Sequence, residues 1–206
     1  MTTAHRLRWW LIFAAVAGVA LAISFLLDPA VEAWMREHQS RGFKQAMRSV
    51  SVIGDWVGHA VGALIAMFIA HRLGSRRWVR ICVAMLVALA LAGVVSRVVK
   101  IAAGRSRPSV ELDAGFNGPR FTAKYHAFPS GHMAASLAYF GVLAFANRRL
   151  FAALLPIPLL IGFARMYLIA HHFSDVIGGA AIGLAIAAWV AHWRWFEIRG
   201  APLSTS

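Results

Sequence analysis

Apolar residues form long blocks along this chain, separated by short connections that are mostly basic. A membrane-spanning helix needs about 20 largely apolar residues. The pattern predicts six transmembrane helices, over residues 9–27, 56–70, 79–99, 133–146, 150–170 and 176–193. The last three blocks follow closely on one another, so we expect them to be antiparallel neighbours. The expected fold is an all-α, polytopic integral membrane protein.

The connections between blocks differ in length and character. Residues 28–55 mix charged and apolar side chains and are predicted to hold an amphipathic helix at the membrane interface. Residues 100–132 carry Gly, Pro, Arg and aromatic residues, which indicates a structured loop. Arg6 and Arg8 precede the first block, which exceeds the usual 7–15-residue core of a signal peptide, so we expect an uncleaved anchor. Residues 1–206 are expected to form a single membrane domain.

Composition supports the membrane assignment: 60% of the residues are hydrophobic, and mean hydropathy is +0.65. The formal net charge is +13, which on a soluble protein would suggest nucleic acid. Here the basic residues lie between apolar blocks and no nucleic-acid-reading element is present, so lipid headgroups and anionic substrates are the expected partners. The single cysteine, Cys82, excludes an intrachain disulfide and a cysteine-based metal site.

The predicted topology places both termini on one side of the membrane. Short connections on that side are rich in arginine, as at residues 72–80 and 148–149. The positive-inside rule applies best to such short connections. We therefore expect cytoplasmic termini in a bacterial inner membrane, with the long 100–132 loop outside.

Three unusual segments lie at the ends of predicted spans on that outer face. They are KIAAGRSRP at 100–108, PSGH at 129–132 and RMYLIAHHFSD at 165–175. Together they would supply fixed cations for phosphate oxygens, backbone N–H groups at a helix start, and imidazole and carboxylate groups for proton transfer and nucleophilic attack. The candidate residues are Lys100, Arg107, Arg165, Ser130, Gly131, His132, His171 and Asp175.

Each of these residues also has a simpler structural interpretation. Lys100 at a span end is placed to extend toward the interface, and Ser130 and Asp175 are placed to cap helices. Arg165 is harder to explain in this way, because it lies within an apolar run and an unpaired charge there is costly.

The three segments together resemble the type 2 phosphatidic-acid phosphatase superfamily, whose active site is shared with vanadium-dependent haloperoxidases. Lys100 and Arg107-Pro108 fit its first motif, and residues 129–132 fit its second motif fully. Arg165, His171 and Asp175 fit the third motif. The serine that opens the third motif is replaced by Ala164, which removes one hydroxyl beside the phosphate-binding arginine. The resemblance covers about residues 55–195.

The resemblance implies a role for each matching residue. His171 would attack phosphorus and form a phosphohistidine, with Asp175 orienting it. His132 would protonate the leaving lipid oxygen and then activate the hydrolytic water. The phosphoryl oxygens would be held by Lys100, Arg107, Ser130, Gly131 and Arg165. The resemblance implies no metal and no other cofactor.

The expected function is hydrolysis of a lipid phosphate or pyrophosphate. Candidate substrates are undecaprenyl pyrophosphate, phosphatidylglycerol phosphate, phosphatidic acid and the phosphate of lipid A, with the first marginally preferred. A lipid-to-lipid phosphotransferase would use the same residues. The small soluble mass disfavours a haloperoxidase. The presence of His132, His171 and Asp175 disfavours an inert lipid-binding relative.

The sequence assigns no role to several residues near the motifs, and it does not predict the oligomeric state. They are Asp55, His59, Arg97, Arg105, His172 and the 109–128 loop with Arg120, Lys124, Tyr125 and His126.

Overall fold

The computed structural model describes residues 3–110, 115–193 and 195–196, and this part of the chain is helical apart from its connections. An isolated β-bridge joins Arg105 to Phe116. The α-helices of the described part are α1 Thr3–Glu37, α2 Arg41–Ile53, α3 Trp56–Arg72, α4 Arg76–Ala103, α5 Gly131–Ala146, α6 Arg148–Leu154, α7 Pro156–Tyr167 and α8 Phe173–Ala191.

Every predicted apolar block is helical, but length and composition identify fewer than six spans. Four stretches are long and apolar enough: α1, α4, α6 continued by α7, and α8. The α2 and α3 helices, bent by 55° at their junction, would together form a fifth span. The α5 helix has 16 residues and is shorter than a usual span. The all-α fold is confirmed for the described residues, and the six spans stay a prediction.

The first helix is longer than the hydrophobic pattern predicts. It continues past residue 27, through Pro29, and ends at Glu37. The extension remains helical because it packs on protein: Asp28 and Met35 are buried. The predicted connecting helix is α2, whose Met47 packs in a cluster with Ala164 and Tyr167 of α7.

The centre of the bundle is the contact between α5 and α8, which depends on glycine. A Cβ atom at Gly179 would lie 2.4 Å from the Ser130 carbonyl oxygen, and one at Gly183 would lie 2.5 Å from that of Ala134. Close packing through small residues is typical of helices within membranes. This contact sets the start of α5 beside the start of α8, where the Ser130 N–H donates to the Asp175 carbonyl oxygen at 2.8 Å.

The connection between α4 and α5 is an ordered loop, as predicted, over its described residues. Gly104 ends α4 in the left-handed conformation, with φ 57°, which suits glycine. The loop is then held by backbone hydrogen bonds from Arg107 N to Lys124 O and from Ala127 N to Arg105 O, both 3.0 Å long. Residues 111–114 of the predicted 109–128 loop lie outside the described residues.

Candidate active site

The residues predicted from the three motifs converge at one end of the bundle. Lys100 lies in the last turn of α4 and Asp175 in the first turn of α8. Gly131 begins α5 against the Lys100 side chain, since a Cβ atom at Gly131 would lie 3.5 Å from Lys100 Cε. Arg165 lies in the last turn of α7, immediately before the segment that contains His171. The convergence that span order predicts is therefore present in the structure.

His171 is buried in the segment between α7 and α8, and its ring faces Asp175. Its Nδ1 atom lies 3.5 Å from Asp175 Oδ2, which is long for a hydrogen bond. Catalytic hydrogen bonds are often long without substrate and shorten when it binds. Burial, helped by the charges of Lys100 and Arg165 and opposed by Asp175, lowers the pKa of His171 to about 3. The imidazole is therefore neutral near pH 7.

Three cationic side chains lie near the His171–Asp175 pair: Lys100 and Arg165 act on His171, and Arg107 interacts with Asp175. The ammonium group of Lys100 donates to the carbonyl oxygens of Pro129 and His126, at 2.6 and 2.9 Å, which orients it. Arg165 donates from Nη1 to Ser51 Oγ at 2.7 Å. Burial lowers the pKa of Arg107, and the Asp175 charge raises it. These cations form a compact positive site beside a neutral imidazole.

Several buried polar atoms in this region lack a hydrogen-bond partner within the described part of the chain. They include Arg107 Nε, Ser130 Oγ, Arg165 Nε and His171 Nδ1. Buried polar groups are nearly always satisfied in folded proteins, so a cluster of unsatisfied donors indicates a ligand site. Donors of this kind, on arginine and serine beside a helix start, match the acceptor oxygens of a phosphoryl group.

His132, in the first turn of α5, faces a different carboxylate. Its Nε2 atom lies 3.6 Å from Asp55 Oδ1, and its side chain is partly exposed. Burial, followed by the charges of Arg165 and Lys100, lowers the pKa of His132, whereas the Asp55 carboxylate raises it. Asp55 itself caps α3, where Oδ1 accepts from Trp56 N at 2.8 Å. The site therefore holds two histidines, one buried and one accessible, each facing its own carboxylate.

A family model described as the PAP2 superfamily matches residues 81–199, which is more than half of the chain. The chain belongs to the PAP2 superfamily. The three PAP2 motifs recognised in the sequence all lie within the matched range, so the resemblance is confirmed.

The chain is also similar to individual PAP2 phosphatases. It is 35% identical to the lipid A 1-phosphatase of Rhizobium etli and 34% identical to that of Rhizobium johnstonii, over 94 residues that make up 44% of this chain. These matches span 40% and 38% of the two relatives, or about two fifths of their length.

Two solved structures share the fold. The PAP2-type phosphatidylglycerolphosphate phosphatase from Bacillus subtilis aligns with a TM-score of 0.63 and 20% identity, over 89% of this chain and 92% of that one. Aquifex aeolicus LpxE aligns with a TM-score of 0.63 and 21% identity, over 81% and 96% of the respective chains. These alignments include residues before the PAP2 match and show that the fold extends beyond it.

The PAP2 motifs miss a buried charge network behind the candidate nucleophile. Arg105 Nη1 donates to Asp175 Oδ1 at 2.6 Å, and its Nη2 donates to Asp28 Oδ2 at 2.8 Å. Asp28 also accepts from the backbone N–H and hydroxyl of Ser174, at 2.8 and 2.5 Å. The sequence signal for Asp28 was an acid at the end of an apolar block; its partner is 77 residues away and was not predictable.

Asp28 belongs to α1, which lies outside the PAP2-matched range. Glu32 and Arg36, in later turns of α1, reach the same region: Glu32 Oε2 lies 3.4 Å from His172 Nδ1, and Arg36 donates to the Pro108 carbonyl oxygen at 2.8 Å. The helix predicted as a membrane anchor therefore also supports the site.

The residues that the sequence left unassigned differ in their relation to the site. His172 is buried behind the site, where its backbone N–H donates to Asp175 Oδ2 at 2.8 Å. His126 supplies a carbonyl oxygen to Lys100, as described above. Arg97 and Lys124 are exposed. The contacts of His172 and His126 are not those of a phosphate ligand, whereas Arg105 joins the site through Asp175.

Proposed function

We propose that this protein is a bacterial inner-membrane lipid phosphatase that hydrolyses a lipid phosphate through a phosphohistidine intermediate. Membership of the PAP2 superfamily and similarity to lipid A 1-phosphatases support the activity. The observation that carries the proposal is the group of unsatisfied buried donors on Arg107, Ser130 and Arg165, next to a neutral His171.

The proposed first step is in-line attack by His171 Nε2 on phosphorus. Nδ1 faces Asp175, which leaves Nε2 for the new N–P bond and favours the required tautomer. The P–O bond to the lipid breaks, and His132 transfers a proton to the departing oxygen. Asp175 stabilises the positive charge that develops on the His171 ring.

In the second step water attacks the phosphohistidine. His132, now neutral, takes a proton from the water, the P–N bond breaks, and inorganic phosphate leaves. Lys100, Arg107 and Arg165 stabilise charge on the transferring phosphoryl group in both steps, which is the part that magnesium plays in many phosphotransferases. We therefore propose metal-independent hydrolysis.

The positioning of Asp175 is part of this proposal. Arg105 and the backbone N–H of His172 donate to its two carboxylate oxygens, at 2.6 and 2.8 Å, and so fix the direction in which it faces His171. Arg105 and Asp28 are thus positioning residues that do not touch the substrate.

For the substrate, we propose lipid A 1-phosphate as the first to test, because the curated relatives are lipid A 1-phosphatases. Undecaprenyl pyrophosphate, preferred from the sequence alone, stays a prediction, along with phosphatidylglycerol phosphate and phosphatidic acid.

The deciding experiment measures phosphate release from these four lipids in detergent and excess EDTA. Wild type is compared with His171→Ala and with His38→Ala, an exposed histidine outside the site. We expect activity in EDTA that His171→Ala abolishes and His38→Ala preserves. Activity that depends on a divalent ion, or that survives in His171→Ala, would contradict the mechanism. Transfer to an added acceptor lipid without release of phosphate would identify a phosphotransferase.

A further inference from the structure

A second cavity lies at the opposite end of the bundle from the candidate active site. Its volume is about 590 Å³, which is in the range of small-molecule pockets. The apolar cavity beside α3 is smaller, at about 340 Å³. Its walls come from the start of α1, the α5–α6 junction and the last turns of α8. From its side chains we propose that this groove binds an anionic phospholipid of the leaflet opposite the active site.

Helix geometry places the groove at the other membrane surface. In α1, Arg6 lines the groove and Asp28 lies behind the active site. These residues are separated by about 33 Å along a helix with a rise of 1.5 Å per residue, close to the thickness of a bilayer core. The α8 helix likewise begins at the active site with Asp175 and has Trp189 at the groove. The groove and the active site therefore face different leaflets.

The charge of the groove selects an anionic headgroup. Arg6 and Arg148 line it, together with two histidines, and none of the described residues that line it is acidic. Guanidinium groups bind phosphate oxygens through two parallel hydrogen bonds. The ammonium group of a zwitterionic lipid would find no carboxylate among these residues, which favours a lipid such as phosphatidylglycerol.

The walls of the groove suit the rest of a lipid molecule. Trp9 and Trp189 are more than half exposed, at 56% and 52%. Tryptophan is enriched at headgroup depth in membrane proteins. Phe13 and Leu184 continue the wall with apolar surface along which an acyl chain can lie.

A second copy of this chain is a less suitable occupant. In a two-fold dimer the same patch faces itself, so the arginines of one copy would approach those of the other. That repulsion would cost stability, because the part of the groove that the structure describes has no acidic side chain to offset it. A lipid phosphate supplies the missing negative charge.

The test is native mass spectrometry of the purified full chain, titrated with phosphatidylglycerol or phosphatidylethanolamine. The groove variant is Arg6→Gln/Arg148→Gln. The matched control is Arg72→Gln/Arg149→Gln, which removes two exposed charges outside the groove from the same end of the bundle. We expect the groove variant to bind phosphatidylglycerol about 10- to 30-fold more weakly, because it loses two charge contacts whose effects on affinity multiply. The control should change by less than about twofold.

Three results would overturn the proposal: equal losses in both variants, equal binding of the two lipids by wild type, or association of copies that lipid does not affect. Hydrolysis of a short-chain lipid phosphate is measured on the same samples and should be unchanged in both variants. That second readout shows whether the variants are folded. It also separates this inference from the proposed phosphatase function, since groove binding and hydrolysis can fail independently.

Discussion

The proposed mechanism depends on the charge of the His171 ring. A nucleophilic imidazole must be neutral before attack, and it becomes positive once phosphorus is bound. Burial and nearby cations favour the neutral ring, whereas Asp175 favours the positive one. The site therefore favours the neutral ring before attack and stabilises the positive ring once the N–P bond has formed.

This balance predicts how stability depends on pH. The pKa of His171 in the folded chain is about 3, below its ordinary value of 6.5. As pH falls through 6.5 the unfolded chain takes up a proton at this residue and the folded chain does not. Because the unfolded state then binds more protons, this residue lowers stability progressively from about pH 6.5 toward pH 3 and has no effect above that range.

Thermal unfolding in detergent, measured from pH 8 to pH 4, checks this prediction. Wild type should lose stability with acid, and His171→Gln should lose less over the same interval. Parallel curves for the two proteins would show that the imidazole is not kept neutral by burial.

The buried arginine behind the site gives a second prediction at this scale. Arg105→Gln would leave Asp28 and Asp175 without their shared cation, in a place where Arg105 is only 3% exposed. Breaking a buried ion pair from one side costs about 3–5 kcal/mol. We expect a large fall in the unfolding temperature, whereas Arg97→Gln, which removes an exposed charge in α4, should have little effect.

The conservative change Arg105→Lys separates positioning from bulk stability. Lysine keeps the charge but lacks the planar fork that binds both carboxylates. We expect a folded protein with lower kcat and nearly unchanged KM, because Arg105 holds Asp175 and does not touch the substrate. A rise in KM at constant kcat would instead place Arg105 among the phosphate ligands.

Among the elements, the close contact of α5 with α8 determines the site. It joins the PSGH segment to the His171–Asp175 segment through the Ser130–Asp175 backbone hydrogen bond. Glycine at 179 and 183 is what allows the backbones to approach. A substitution distant from the chemistry can therefore disturb both motifs together.

Gly183→Ala tests this packing. The added methyl would lie 2.5 Å from the Ala134 carbonyl oxygen and 2.9 Å from the Ala138 nitrogen, both backbone atoms that move only with the helix. Overpacking of this kind costs about 1–3 kcal/mol. Gly93→Ala in α4 is the control, because nothing lies within 4 Å of its added methyl, and there alanine should be neutral or stabilising. Equal unfolding temperatures for both variants would refute the packing argument.

Local pattern in the sequence was sufficient to predict the helices and to locate the three motif segments, because apolar blocks and short-range spacing determine both. It failed at the end of α1, where residues 28–37 look polar yet stay helical by packing on the protein. It also failed for Arg105, whose partners lie 70 and 77 residues away. Contacts of that range depend on how helices are arranged, which hydrophobic periodicity does not encode.

Across the whole molecule, the two ends of the bundle carry different chemistry. One end gathers the motif residues, and the other carries arginines in short connections near residues 72–80 and 148–149. If short basic connections face the cytoplasm, the active site meets the outer leaflet. The orientation decides which pool of lipid the enzyme reaches, so it is the prediction with the widest consequence.

Single-cysteine labelling checks this orientation, because Cys82 is the sole cysteine in the sequence and is buried. In a Cys82→Ala background, Thr122→Cys reports on the exposed loop at the active-site end, and Arg72→Cys reports on the opposite end. Intact spheroplasts are treated with a membrane-impermeant maleimide. We expect Thr122→Cys to be labelled at once and Arg72→Cys only after the membrane is opened. The reverse pattern would place the active site in the cytoplasm and would direct the substrate search to lipids of the inner leaflet.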